Sequence, residues 1–109
     1  MIILRITMNA LPEKQKEVMQ TLLSMIEPTG SEKGCLSYDV FRDIERNNLF
    51  SLIVGWESRE DLEHHLMSAR FGVLLGTKSL LNEPLKIHVY TVSHSEELDI
   101  IKASRDKKF

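Results

Sequence analysis

The side chains of this 109-residue sequence best suited to chemistry near neutral pH are four histidines, one cysteine, two tyrosines and one tryptophan. The histidines are His64, His65, His88 and His94. On a helix, adjacent His64 and His65 point about 100° apart and cannot hold one ion together. Glu60–His64 and Asp61–His65 are i,i+4 pairs, but two ligands do not close a metal site, so no metal is expected. His65 stands three residues after Leu62 and one before Leu66, at the edge of an apolar stripe. It reads either as a hydrogen-bonded structural histidine or as the one side chain able to exchange protons near pH 7 inside a cleft. Trp56 reads as a core or interface aromatic, or as a stacking wall for an aromatic ligand. Tyr38 reads as a core residue with its hydroxyl at a rim, or as part of a proton relay. Cys35 reads as a small buried hydrophobe rather than a nucleophile. The G-x-S-x-G elbow, the P-loop and the G-x-G-x-x-G fingerprint are all absent, which leaves nucleotide and dinucleotide binding without local support.

Composition narrows the classes further. The length suits one domain, with roughly 6,000 Å² expected to remain accessible out of about 18,000 Å² in the unfolded chain. Hydrophobic residues are 42% and charged residues 28%, too apolar a mixture for disorder. Fourteen Lys and Arg against sixteen Asp and Glu give a formal charge of −2, so no nucleic-acid partner is expected from charge. A single cysteine excludes an intrachain disulfide scaffold and a Cys-rich zinc module. Arg5 interrupts the N-terminal apolar run, no cleavage site follows, and no stretch approaches the ~20 apolar residues of a membrane span. The expectation is a cytoplasmic protein without a membrane segment.

The elements that must position these residues follow from periodicity. Residues 2–8 alternate, with Ile2, Leu4, Ile6 and Met8 on one face of a strand. Pro12 and Glu13 suit a helix start. Val18, Leu22 and Met25/Ile26 form a helical stripe that Met19 and Leu23 widen, and Pro28 disfavours regular helix at Glu27, though a kinked last turn could run on. Gly34 punctuates, and a second strand runs from Cys35 to Asp43. Alternation there sets Leu36, Tyr38 and Val40 against Ser37, Asp39 and Phe41. Residues 44–48 suit a hairpin loop, and Leu49 to Trp56 form a third strand apolar on both faces. Ser58 is placed as an N-cap, with Asp61 weakly completing a capping box. Leu62, Leu66, Phe71, Val73, Leu74 and Leu75 then supply a helical face broken near Ser68, with Gly76 as its stop. Leu85 to Val92 form a fourth strand. A short charged helix, about Glu96 to Ser104, falls within a tail over residues 93–109.

The order strand, helix, strand, strand, helix, strand predicts an α+β, ferredoxin-like βαββαβ fold, with an antiparallel sheet and both helices on one face. The other face would carry more apolar surface than a monomer usually exposes, which predicts a sheet-to-sheet homodimer.

Several of these residues, taken jointly, resemble a known family. Thr29, Glu32-Lys33-Gly34-Cys35-Leu36-Ser37-Tyr38 and Asp43 come first. Phe50 and Trp56-Glu57-Ser58 follow, then Leu62, His65, Ser68, Phe71 and Pro84. Across about residues 1–92 this spacing looks like the antibiotic biosynthesis monooxygenase (ABM) domain, in its quinol-monooxygenase-like branch. The resemblance implies a dimeric α+β barrel with a pocket between sheet and helices. Some members of that family attack anthrones and quinols with O₂ and without metal or flavin. Others degrade haem or process a phosphorylated signal molecule. The anthrone-type members carry an Asn where Leu52 stands. The haem-degrading members carry a Trp at His65 and a haem-ligating His at Leu75. Quinol-oxidising and signal-processing members share a His at His65, many with a Glu where this chain has Val54. The resemblance therefore implies that His65 lacks that acid partner.

What it implies for mechanism is a cofactor-free monooxygenase acting on a small aromatic quinol- or anthrone-like substrate with O₂. Trp56, Leu52, Val54 and Phe71 would form the wall, His65 the base or donor, and Tyr38 or Asn9 a further hydrogen bond. The alternatives are a non-catalytic dimeric domain that binds a small molecule, and an isomerase of a small phosphorylated signal molecule.

Overall fold

The computed structural model describes residues 1–106; the last three residues of the expected 93–109 tail lie outside the described residues. Four antiparallel strands, β1 (Ile2–Asn9), β2 (Cys35–Arg42), β3 (Leu49–Trp56) and β4 (Lys86–Thr91), form one sheet in the order β2-β3-β1-β4. Between β1 and β2 run a 3-10 turn at Pro12–Lys14 and helices α1 (Gln15–Ser24) and α2 (Ile26–Gly30). Between β3 and β4 run α3 (Arg59–Leu66), α4 (Ala69–Leu75) and a 3-10 segment, Gly76–Leu80. A final helix, α5 (Asp99–Asp106), begins and ends later than its charge pattern suggests. The fold is the expected α+β, ferredoxin-like arrangement.

The core is the layer between sheet and helices. Ile2, Leu4, Ile6 and Met8 of β1 pair across the sheet with Trp56, Val54, Leu52 and Phe50 of β3, and all eight are buried. Cross-strand partners share a face, so this register puts both apolar rows under the helices. Val18, Leu22 and Met25 close the layer from α1, and Leu62, Phe71 and Leu74 from α3 and α4. The stripe is narrower than expected: Leu23, Ile26, Val73 and Leu75 face out, because only residues three or four apart stay on one helix face. On the open face of β3, Leu49, Ser51 and Ile53 are only half-buried in the single chain.

Two local features depart from simple periodicity. A bulge between Cys35 and Ser37 inserts Leu36, so Cys35 pairs with Trp56 while Ser37 pairs with Gly55. The bulge breaks strict alternation: Cys35 faces the core with Tyr38 and Val40, and Leu36 turns out, 54% exposed, instead of sharing their face. A Cβ on Gly55 would meet the Ser37 hydroxyl at 2.8 Å, so the glycine makes room for the bulge. The helix layer also stops short of β4. Ile87 and Val89 lie opposite Ile6 and Leu4 yet stay partly exposed. The accessible surface, 7640 Å², exceeds the roughly 6,000 Å² expected for this length; α5 buries none of its residues.

Candidate active site

The site is assembled where the two helical segments meet the end of β3. Ser58 caps α3, its Oγ accepting from the Asp61 amide at 3.2 Å. The capped helix carries His65 inward, 5% exposed, and leaves His64 in solvent. Ser68 then breaks the chain into α4. Its Oγ accepts from the Phe71 amide at 3.1 Å and donates to the His65 carbonyl at 2.6 Å. This junction sets His65 and Phe71 edge to face, ring centroids 5.4 Å apart, while Trp56 lies 4.8 Å away on a tilted plane. The imidazole is thus packed against two aromatic rings.

Its acid partner comes from the other half of the fold. Nδ1 of His65 lies 3.0 Å from both carboxylate oxygens of Glu32, and Glu32 Oε2 accepts from Arg70 Nη1 at 2.8 Å. The Glu32 and His65 side chains are nearly buried, whereas Arg70 is more than a third exposed. His65 thus lacks the family's acid at position 54 but has a different one, Glu32. Val54 is a core residue, and the carboxylate arrives from the loop between α2 and β2 instead. That loop is held by Gly34, whose φ of +80° is a left-handed conformation suited to glycine. A Cβ there would collide with the Asp61 side chain.

A small cavity of about 10 Å³ lies beside the histidine, lined by Met25, Thr29, Tyr38, Leu52, His65, Arg70, Phe71 and Leu74. That is room for about one water molecule, so a larger guest enters only as the lining side chains move apart. Of the residues expected to build the site, Tyr38, Leu52, His65 and Phe71 come together here. Trp56 is fully buried behind His65 and supports the ring instead of lining the space. Val54 shares the strand face of Leu52 and Trp56 but is sealed in the core. Asn9 is not brought to the cavity. It lies on the other face of β1, where its side-chain oxygen accepts from Asn48 Nδ2 at 2.6 Å and ties down the hairpin loop. Glu32, Arg70 and Thr29 are the lining or supporting residues to which sequence reasoning assigned no role.

Electrostatics separate the polar members. Burial, reinforced by the neighbouring Cys35, pushes the Tyr38 hydroxyl up to about 12, so it stays protonated at neutral pH. It donates to the Leu22 carbonyl at 3.4 Å, a long contact. Burial also pushes the Cys35 thiol up, which keeps it protonated and unreactive. His65 Nε2 has no hydrogen-bond partner among the described residues, while Nδ1 is committed to Glu32. The arrangement can hold one imidazole tautomer against a carboxylate and offer the other nitrogen to a small guest.

The profile of the family described as antibiotic biosynthesis monooxygenase matches residues 1–74. The chain belongs to that family. The matched span holds β1 through Leu74 of α4 and every residue that lines the cavity. Among similar proteins, an uncharacterized protein of Synechocystis sp., sll1783, is 30% identical over 88 residues, 80% of this chain. The chain spans only 60% of the length of that relative. A Bacillus subtilis protein named "Putative monooxygenase YcnE" is 28% identical over 80% of this chain and 93% of its own length. Among solved structures, one from Deinococcus radiodurans, described as a "putative antibiotic biosynthesis monooxygenase", superposes with a TM-score of 0.82. That match has 25% identity and covers 90% of this chain and 98% of the other. PA3566 from Pseudomonas aeruginosa superposes with a TM-score of 0.75 at 28% identity, covering 85% and 94%. These likenesses support monooxygenase chemistry at the level of the family. No helix among the described residues is long and apolar enough to cross a membrane.

Proposed function

We propose that this chain is a cofactor-free monooxygenase that oxidises a small quinol- or anthrone-like aromatic with O₂, with His65 as the base. One observation carries the reading: a buried histidine lines a small cavity, its Nδ1 held by Glu32 and its Nε2 unpartnered among the described residues. With Glu32 ionised, Nδ1 carries the proton and donates, which leaves the Nε2 lone pair for a substrate hydroxyl. Ground-state O₂ is a triplet and reacts slowly with closed-shell molecules. A phenolate formed at Nε2 is electron-rich enough to pass one electron to O₂ itself. The radical pair then collapses with C–O bond formation.

For a single-ring 1,4-quinol the balance closes without an external reductant. One quinol and one O₂ give one hydroxyquinone and one water. One oxygen atom forms the new C–O bond, the other leaves as water, and all four electrons come from the ring. Leu52, Met25, Phe71 and Leu74 give the cavity an apolar lining, which a single ring would part on entry. Arg70, the one cation lining the cavity, is already paired with Glu32, which leaves no free positive charge to hold a phosphate and weighs against the isomerase alternative.

The homodimer belongs to the same proposal. The open sheet face carries Leu36, Phe41 and Tyr90, each about half exposed, and a second copy would cover them. The unpaired Cys35 fits a reducing, cytoplasmic setting.

The test is O₂ uptake by metal-free protein with a panel of quinols, corrected for autoxidation. Saturable uptake that is lost in His65→Ala is expected. Uptake that survives in His65→Ala removes the base, and saturable binding without turnover leaves a binding domain.

A further inference from the structure

Thr29 is 1% exposed, lines the His65 cavity, and its Oγ1 has no hydrogen-bond partner among the described residues. A buried hydroxyl without a partner is costly, and native structures rarely tolerate one. A helical threonine usually avoids the cost by donating to a carbonyl of the preceding turn. Thr21 does so to Glu17 at 2.9 Å, and Thr77 does so to Leu74 at 2.7 Å. Thr29 does not, although its own amide reaches the Met25 carbonyl at 3.0 Å and fixes the residue on α2. The two buried polar residues of the lining, Thr29 and His65, thus each keep an uncommitted atom, the Thr29 hydroxyl and His65 Nε2, while the Tyr38 hydroxyl is engaged.

We propose that Thr29 is a positioning residue: its hydroxyl binds a second oxygen of a ligand whose first oxygen meets His65. The ligand class is a small ring bearing two oxygen functions. The His65 end takes an O–H, because Nε2 accepts. The Thr29 end takes a hydroxyl or a carbonyl, because a threonine hydroxyl can donate or accept. This rests on the reading of His65 given above, but its test does not require turnover.

The probes are hydroquinone, with two ring oxygens, and phenol, with one. Their dissociation constants are measured anaerobically from the fluorescence of Trp56, the only tryptophan, in wild type, Thr29→Val and Thr29→Ser. Thr29→Val keeps the shape and removes the hydroxyl. It is expected to weaken hydroquinone about five- to tenfold and phenol less than twofold, with Thr29→Ser close to wild type. In turnover, KM for the quinol rises while kcat changes little. The melting temperature of Thr29→Val stays at or above that of wild type, because no internal hydrogen bond is lost. Unchanged hydroquinone binding in Thr29→Val, or equal weakening of both probes, overturns the assignment. A melting temperature several degrees lower overturns it as well, since it gives the hydroxyl a structural role. Wild-type protein that binds neither probe overturns this inference and the His65 reading together. The expected pattern without O₂ uptake upholds Thr29 and removes only the oxygenase.

Discussion

Replacing Glu32 by Gln tests the His65–Glu32 pair at its most informative point. The substitution keeps the size of the side chain and removes its charge. Gln can still accept from Nδ1, but its amide can also donate to it, which would move the imidazole proton to Nε2. Nε2 would then be a donor and no longer a base. An amide in place of the orienting carboxylate costs about 10⁴ in kcat in serine-protease triads, where only the wrong tautomer remains. Here both orientations of the amide are open, so a loss of about 10²- to 10³-fold in kcat/KM is expected, or about 2.7–4 kcal/mol of transition-state stabilisation. Stability falls too. Glu32 makes charge-assisted contacts to His65 and to Arg70, but Arg70 is 36% exposed and its share is screened. A net cost of about 1–2 kcal/mol is expected, which lowers the melting temperature by about 5–15 °C for a domain of this size. The protein therefore stays folded at 25 °C, and the kinetic loss can be read apart from unfolding. Nitrogen-15 NMR of labelled histidine reports the tautomer directly. Wild-type protein with the His65 proton on Nε2, or Glu32→Gln with wild-type kcat/KM, refutes the reasoning.

Further predictions concern the frame around the pair. Ser68→Ala removes the cap that joins His65 to Phe71 and should cost about 1 kcal/mol by thermal melting. Gly34→Ala should cost about 2 kcal/mol or more by denaturant titration, because it forces a left-handed φ and displaces Asp61. Alkaline absorbance titration should find one tyrosine ionising near pH 12, absent in Tyr38→Phe. Its raised value means that the folded state holds this proton more tightly than the unfolded state. The stability it contributes is fully present below pH 10 and is lost as pH rises to about 12.

The fold was legible because the apolar rows are strong. Alternation in β1, the continuous run of β3, the Ser58 cap and the break at Ser68 all act within a few residues of themselves, and the four strands formed close to where their patterns place them. Leu36 was misread because a bulge is a property of a strand pair, and one strand's alternation carries no record of it. Glu32 had no visible role because its partner is 33 residues away and the two meet only through the fold. The one local hint was Gly34, a turn residue two positions on that fixes the loop bearing the carboxylate. Asn9 was a polar residue at a strand end with two faces open to it. Register put it opposite Leu49 on the far face, where it closes a loop. Thr29 sat in a short helix after Pro28, where nothing in the sequence distinguishes an unpartnered hydroxyl from a bonded one.

The most direct measurement is a reaction of metal-free protein with a single-ring quinol under ¹⁸O₂, followed by mass spectrometry of the product. The account predicts one labelled oxygen in a hydroxyquinone, labelled water as the co-product, and no such product from His65→Ala. An unlabelled quinone formed with hydrogen peroxide, or label incorporation that persists without His65, would contradict it.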